Sequence, residues 1–304
     1  KIIDQFEILT KLESYFSRRN TMVYSYFILK DTPILLLVLL LAVQVATVDA
    51  SYKDGISLAE AVYDRDSPKD SSAKVEMLLS KNGSLKKRRL LFSYGLDKGA
   101  SERLTLMRFV QPKSVDGTGL LSKDYLGDDN DQWLYLPSLD RVRRISSKRK
   151  GGRFVGSEFF YEDLRDREVN MDDHVLLGDG KSGKVSCLLL QSTPVKKSNS
   201  IYSKRVSCIH PKILIPLWTE FYKKKASPIK RLKAKRLKKV QGYWTIYEST
   251  MTNLKTGSAT QLITREILYN QKIPETLFTQ RGLEEESQEL PYRPRALSES
   301  SEKK

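Results

Sequence analysis

At 304 residues and 39% hydrophobic content, the chain has room for one large all-β domain or two small ones, with enough apolar side chains for a core. Its 53 Lys+Arg against 37 Asp+Glu give a formal charge of +16, which points to a polyanionic partner, either nucleic acid or an anionic membrane surface. Two cysteines are too few for a disulfide scaffold, and two histidines without a Cys-x-x-Cys pair argue against a zinc site.

The chain opens on Lys1. Residues 1–21 carry Ile2, Ile3, Phe6, Leu9, Leu12 and Phe16 at loosely helical spacing. They read as an amphipathic membrane-surface segment or, by preference, as an over-extended gene start before Met22. Residues 22–50 have the form of a signal peptide. Lys30 precedes an apolar run from Pro33 to Val48, and Val48-Asp49-Ala50 supplies small residues for cleavage before Ser51. An uncleaved anchor is the alternative. Export makes lipid head groups likelier partners than nucleic acid.

Residues 55–67 have a helical pattern, with Ile56, Ala59, Val62 and Tyr63 on one face. Strands follow. Val75, Met77 and Leu79 alternate with polar residues, Asn82-Gly83 marks a hairpin, and residues 90–94 return. Further strands are expected at 104–110, 114–121, 133–136, around Val142 and Ile145, and at 185–192, 201–209, 213–222, 229–240, 243–252 and 259–269. Ser157 reads as the N-cap of a short aromatic helix through Leu164. Pro274 starts a last short helix, and residues 284–304 read as a disordered polar tail. About ten strands with short connections describe one long antiparallel sheet, and a sheet of that length curls or closes. The fold class is therefore mainly β (α+β), with a domain over 51–283.

The motifs divide into chemistry and packing. No G-x-S-x-G, H-E-x-x-H or Walker loop occurs, so the reading is non-enzymatic, with no cofactor and no metal. His174 and His210 read as packing or surface residues, and Asp128-Asp129 and Asp172-Asp173 as solvated turns. The basic run at 223–239 includes Lys223, Lys224, Lys225, Lys230, Arg231, Lys233, Lys235, Arg236, Lys238 and Lys239. It is either a footprint for anionic lipid or a solvated edge hairpin. Arg141, Arg143 and Arg144 either bind a carboxylate or phosphate, or pair with Glu158, Glu162 and Asp163 to latch the short helix to the sheet. The second is taken as the resting arrangement. Cys187 and Cys208 fall on neighbouring strands. A turn near Lys197-Ser198 would place them opposite each other, so a cross-strand disulfide and two separate buried thiols both stay open.

One stretch carries a resemblance. Trp133-x-Tyr135-x-Pro137, Arg141-x-Arg143-Arg144-Ile145, Phe154-x-Gly156-Ser157 and Phe159-x-Tyr161-Glu162-Asp163-Leu164 follow in order. This resembles the LolA-like outer-membrane lipoprotein-sorting protein family, with Glu158 where the family suggests aspartate. Ala59-Glu60-x-Val62-Tyr63-Asp64-Arg65-Asp66 supports it, as do Tyr202-Ser203-Lys204-Arg205-Val206 and Ile215-Pro216-Leu217-Trp218. The resemblance implies an unclosed β-barrel around helices that plug a hydrophobic cavity. It further implies a periplasmic carrier that takes acyl chains of lipid or lipoprotein from an inner-membrane donor transporter to an outer-membrane acceptor. Trp133, Tyr135, Phe154, Phe159, Phe160, Tyr161 and Leu164 are the candidates for cavity and plug. A lipid-sensing regulator of the RseB-like kind and, after it, a basic nucleic-acid-binding module are the alternatives.

Overall fold

A computed structural model describes residues 52–99, 102–125 and 131–294. The expected N-terminal extension and signal peptide, the Asp128-Asp129 turn and residues 295–304 of the tail lie outside them.

Among the described residues, thirteen strands form one antiparallel sheet in the order β6-β5-β4-β3-β2-β1-β13-β12-β11-β10-β9-β8-β7. They are β1 (Asp70–Lys81), β2 (Ser84–Asp97), β3 (Arg103–Gln111), β4 (Gly119–Asp124), β5 (Asp131–Leu136), β6 (Arg141–Arg144) and β7 (Asp172–Ser182). The second half holds β8 (Val185–Pro194), β9 (Lys204–Ile209), β10 (Pro216–Tyr222), β11 (Lys230–Val240), β12 (Tyr243–Asn253) and β13 (Ser258–Tyr269). Each half is a meander of chain neighbours. The first and last strands close the ladder in the middle, from Ser71↔Tyr269 to Lys81↔Ser258. The sheet is therefore an unclosed barrel whose open seam lies between β6 and β7.

Local chemistry explains the meanders. Two-residue turns join β1 to β2 and β11 to β12, with positive φ at Asn82-Gly83 and Gln241-Gly242. Such turns match the strand twist and need residues that tolerate the left-handed region. Along β3, Leu104, Leu106 and Arg108 face one way, while Arg103, Met107 and Phe109 face the other. The two faces are covered by different segments. Residues 145–171, which cross the seam, pack on the inner face through Phe154 against Met77, Leu91, Phe109 and Leu120. Ile273, Leu277, Phe278 and Leu283 cover Phe92, Tyr94, Leu104 and Leu106 on the outer face. Helix α1 (Gly55–Tyr63) has Asp54 as N-cap, in a capping box with Ser57, and buries Leu58 and Ala59 against Leu190 and Ile209. Its first residue must be glycine, because a Cβ there would sit 2.6 Å from the backbone of His174 and Val175.

Several expectations are corrected. Asp172-Asp173, expected as a solvated turn, instead opens strand β7, although its two glycines and three aspartates are poor strand formers. It forms with a bulge between Leu176 and Gly178, and Gly178 takes φ +103° there. The expected helix at Ser157 does not form. Residues 154–159 make a tight reversal, with Phe154 N donating to the Phe159 carbonyl at 2.8 Å, and of the expected helix only Tyr161–Leu164 turns, as a 3-10 segment. Phe159, Phe160 and Tyr161 pack in two separate clusters, so no single helical face could serve them. Residues 284–294 are not a free tail. Helix α2 (Gln280–Glu284) and the 3-10 segment Glu286–Tyr292 lie on the sheet, and Glu289 is fully buried. The basic strand β11 is not an edge, since β10 and β12 flank it. The edges are β6 and β7; on β6, Arg141 and Arg143 are exposed, and their charge discourages edge-to-edge pairing.

Cys187 and Cys208 form a disulfide, with Cα atoms 5.4 Å apart. They are not directly opposite, because Cys208 pairs with Leu189 in the β8–β9 ladder. The bond crosses diagonally and closes a loop spanning 21 positions, for which the chain-entropy argument gives about 3 kcal/mol.

Candidate ligand cavity

The seam-crossing segment is fixed by its two acids. Glu162 accepts hydrogen bonds from Ile201 N at 2.7 Å and from Ser200 Oγ. Asp163 accepts from Phe160 N at 2.7 Å, Tyr202 Oη at 2.7 Å and Lys230 Nζ at 3.0 Å. The Lys230 side chain is 1% exposed and that of Asp163 2%. Lys230 Nζ also lies 3.3 Å from the centre of the Phe160 ring, which stacks on Tyr202. Burial lowers the Lys230 ammonium below its usual range, and Asp163 opposes that shift. Burial, reinforced by Asp163, raises the Tyr202 phenol.

These acids were expected to pair with the arginines of β6, and they do not. Arg144 bonds Asp131 at 2.7 Å, and Glu158 pairs with Arg153 at 3.0 Å. Arg141 and Arg143 point to solvent on a strand only four residues long. The latch acids instead reach across to β9, β11 and the loop before β9, so the segment is tied to the far side of the barrel.

Behind it lies a cavity of about 390 Å³. Val62 and Tyr63 of α1 contribute to its wall, together with Leu190, Ile209, Phe221, Leu232 and Met251. A charged band completes it, holding Arg103, Glu162, Arg165, Arg167, Glu168, Asp172 and Arg205. Arg167 Nε and Asp172 meet at 3.1 Å, and Arg205 also bonds Asp172, which is buried rather than solvated. His174 packs in the same wall, bonding the Val169 carbonyl at 2.9 Å and Ser192 Oγ at 3.0 Å. Arg103 ties α1 to the sheet: it donates to the Tyr63 carbonyl at 3.1 Å and covers the Tyr63 ring at 4.2 Å.

The aromatic candidates back this cavity rather than line it. Trp133 and Tyr135 pack with the C-terminal segment, Phe154 and Tyr161 with Phe109 and Met77, and Phe159, Phe160 and Leu164 with Tyr202 and Phe221. Sequence reasoning did not place Arg103, Arg165, Arg167, Glu168, Asp172, Arg205 or Lys230 in this site, reading Asp172 as solvated and Lys230 as part of a surface run. For Arg165, Arg167, Glu168 and Asp172 the signal was the dense alternation of charge from Glu162 to Asp172, which follows an aromatic run. Three separated stretches that carried the resemblance nevertheless meet here, through Val62, Tyr63 and Arg65, Glu162 and Asp163, and Tyr202 and Arg205. A second cavity, of about 460 Å³, shares Tyr202 as a wall and is lined further by Pro194, Ile201, Lys223 and Lys224.

The architecture matches an outer membrane lipoprotein-sorting protein domain from Vibrio parahaemolyticus, at 35% identity and TM-score 0.72, over 76% of this chain and 98% of that one. The chain belongs to the LolA-like outer-membrane lipoprotein-sorting protein family. A DUF1329 family protein from Desulfovibrio piger is similar at 28% identity and TM-score 0.71, over 75% of this chain and 97% of its own. A LolA superfamily protein from Nitrosomonas europaea shares the fold at 19% identity and TM-score 0.58, over 75% of this chain and 98% of that one. A family model described as an uncharacterized protein matches residues 101–285. No curated protein matches significantly.

Proposed function

We propose that the chain is an exported, non-enzymatic carrier that holds the acyl chains of a lipid or lipoprotein in the periplasm. The observation that carries the reading is the inner cavity, whose apolar wall is built by α1, β8, β9, β10, β11 and β12 inside an open-seamed barrel. Its volume falls within the range of small-ligand sites, which is about 300–1,000 Å³. Each methylene moved from water to such a wall contributes about 0.8 kcal/mol. The Cys187–Cys208 disulfide supports an oxidising compartment, and family membership supports the periplasm. A carrier must meet a donor and an acceptor at membranes. Arg231, Lys233 and Lys235, exposed in alternation along β11, suit an anionic bilayer surface.

The test is displacement of a fluorescent fatty acid. Val62→Trp fills the cavity from α1 and is expected to weaken probe binding about tenfold or more, with an unchanged circular dichroism spectrum. Binding equal to wild type would remove this cavity from the mechanism.

A further inference from the structure

Resting on the carrier reading, we propose that Arg165 is a head-group anchor and that the cargo carries a phosphate beside its acyl chains. The Arg165 side chain is 3% exposed. Among the described residues, neither its Nε nor its Nη2 has a hydrogen-bond partner. The facing carboxylate oxygen, Asp124 Oδ1, stands 3.7 Å from Nε, close enough to steady the charge and too far to accept a proton. Buried donors are ordinarily satisfied, and two idle ones on a single guanidinium call for an acceptor. A guanidinium fork presents paired N–H groups in the geometry that a phosphate takes with two of its oxygens.

The neighbouring cations are already engaged. Arg103 bonds Asp97, Asp166 and the Tyr63 carbonyl. Arg167 and Arg205 share Asp172. Arg165 is therefore the buried cation of this cavity that keeps donors in reserve, and the apolar wall lies in the same cavity. Glu168, three residues on, has a buried Oε1 that also lacks a hydrogen-bond partner. Burial, then Asp166, pushes its carboxyl above the usual range. A diacylglycerol-type lipid anchor has no phosphate, so the inference separates phospholipid-like cargo from neutral acylated cargo.

The experiment is calorimetric titration of the full chain with dihexanoyl phosphatidylglycerol, dihexanoylglycerol and inorganic phosphate. Wild type is expected to bind the phospholipid about tenfold tighter than the neutral lipid, and inorganic phosphate far more weakly than either. Arg165→Met should erase the preference and keep the affinity for dihexanoylglycerol, while Arg165→Lys should keep part of the preference. Thermal melting serves as the folding control, and Arg165→Gln gives the same reading if Arg165→Met does not fold. Equal binding of the two lipids by wild type, or a preference that survives in Arg165→Met, overturns the anchor and leaves the carrier standing. Phosphate binding as tight as the phospholipid overturns the lipid source. Binding of neither lipid overturns the carrier reading itself and the anchor with it.

Discussion

Replacing Asp163 by alanine is expected to destabilise the protein by about 3–5 kcal/mol, the usual cost of breaking a buried ion pair from one side. The change leaves the Lys230 ammonium, 1% exposed, without its carboxylate. It also strips the acceptor from Tyr202 Oη and from Phe160 N. Removing both charges at once should recover most of the loss, because the surroundings are Phe160, Tyr202, Phe221 and Met251 and can accept apolar groups. Urea unfolding of Asp163→Ala, Lys230→Met and the double Asp163→Leu/Lys230→Met variant measures this. A coupling energy under about 1 kcal/mol would show that the pair is wet and that the seam-crossing segment is held by its aromatics alone.

The second large effect lies on the outer face. Arg108 and Glu289 are 1% and 0% exposed and meet at 2.9 Å, and Arg108 also donates to the carbonyls of Gly282 and Leu283 at 3.0 Å. Arg293 reaches back to Glu289 at 2.6 Å and covers the Phe92 ring at 4.6 Å. Glu289→Ala should therefore cost about 3–5 kcal/mol by the same uncompensated-charge argument. A chain ending at Glu284 should lose at least as much and bind a hydrophobic dye, because Tyr292 and its neighbours no longer cover the β2–β3 wall. A truncated chain with the wild-type urea midpoint would mean that this segment is dispensable.

Both sites show what a sequence discloses and what it withholds. Alternation in β3 reports which side chains face a core, since burial there repeats with period two over most of the strand, and Asn82-Gly83 reports a turn through its φ requirement. Cys187 and Cys208 could be placed on adjacent strands but not paired, since a two-residue shift in register keeps the pair bondable. The ionic partners were invisible. Asp163 and Lys230 are 67 positions apart in the chain and Arg108 and Glu289 181, so no local spacing links them. Composition misled at the C-terminus: Glu284, Glu285, Glu286 and Ser287 look like solvated chain, yet Glu289 beyond them is in the core. At Ser157 the capping signal was real chemistry used differently. Its hydroxyl accepts from Phe159 N within a reversal instead of opening a helix.

The pairing of β1 with β13 also bears on how the molecule is reached in time. Every other ladder joins strands that follow one another in the chain, so each meander can zip outward from its own hairpins. The β1–β13 ladder must wait for nearly the whole chain to be spanned, with a loop-closure entropy that no local contact offsets. Folding is expected in the millisecond-to-second regime of non-local β topologies, with that encounter as its bottleneck. Substitutions in this ladder, such as Ile263→Val, should then slow refolding. Substitutions at the seam edges, such as Val142→Ala, should mainly quicken unfolding. Stopped-flow refolding and unfolding of the two variants separates these arms, and the reverse pattern would place the nucleus at the edges.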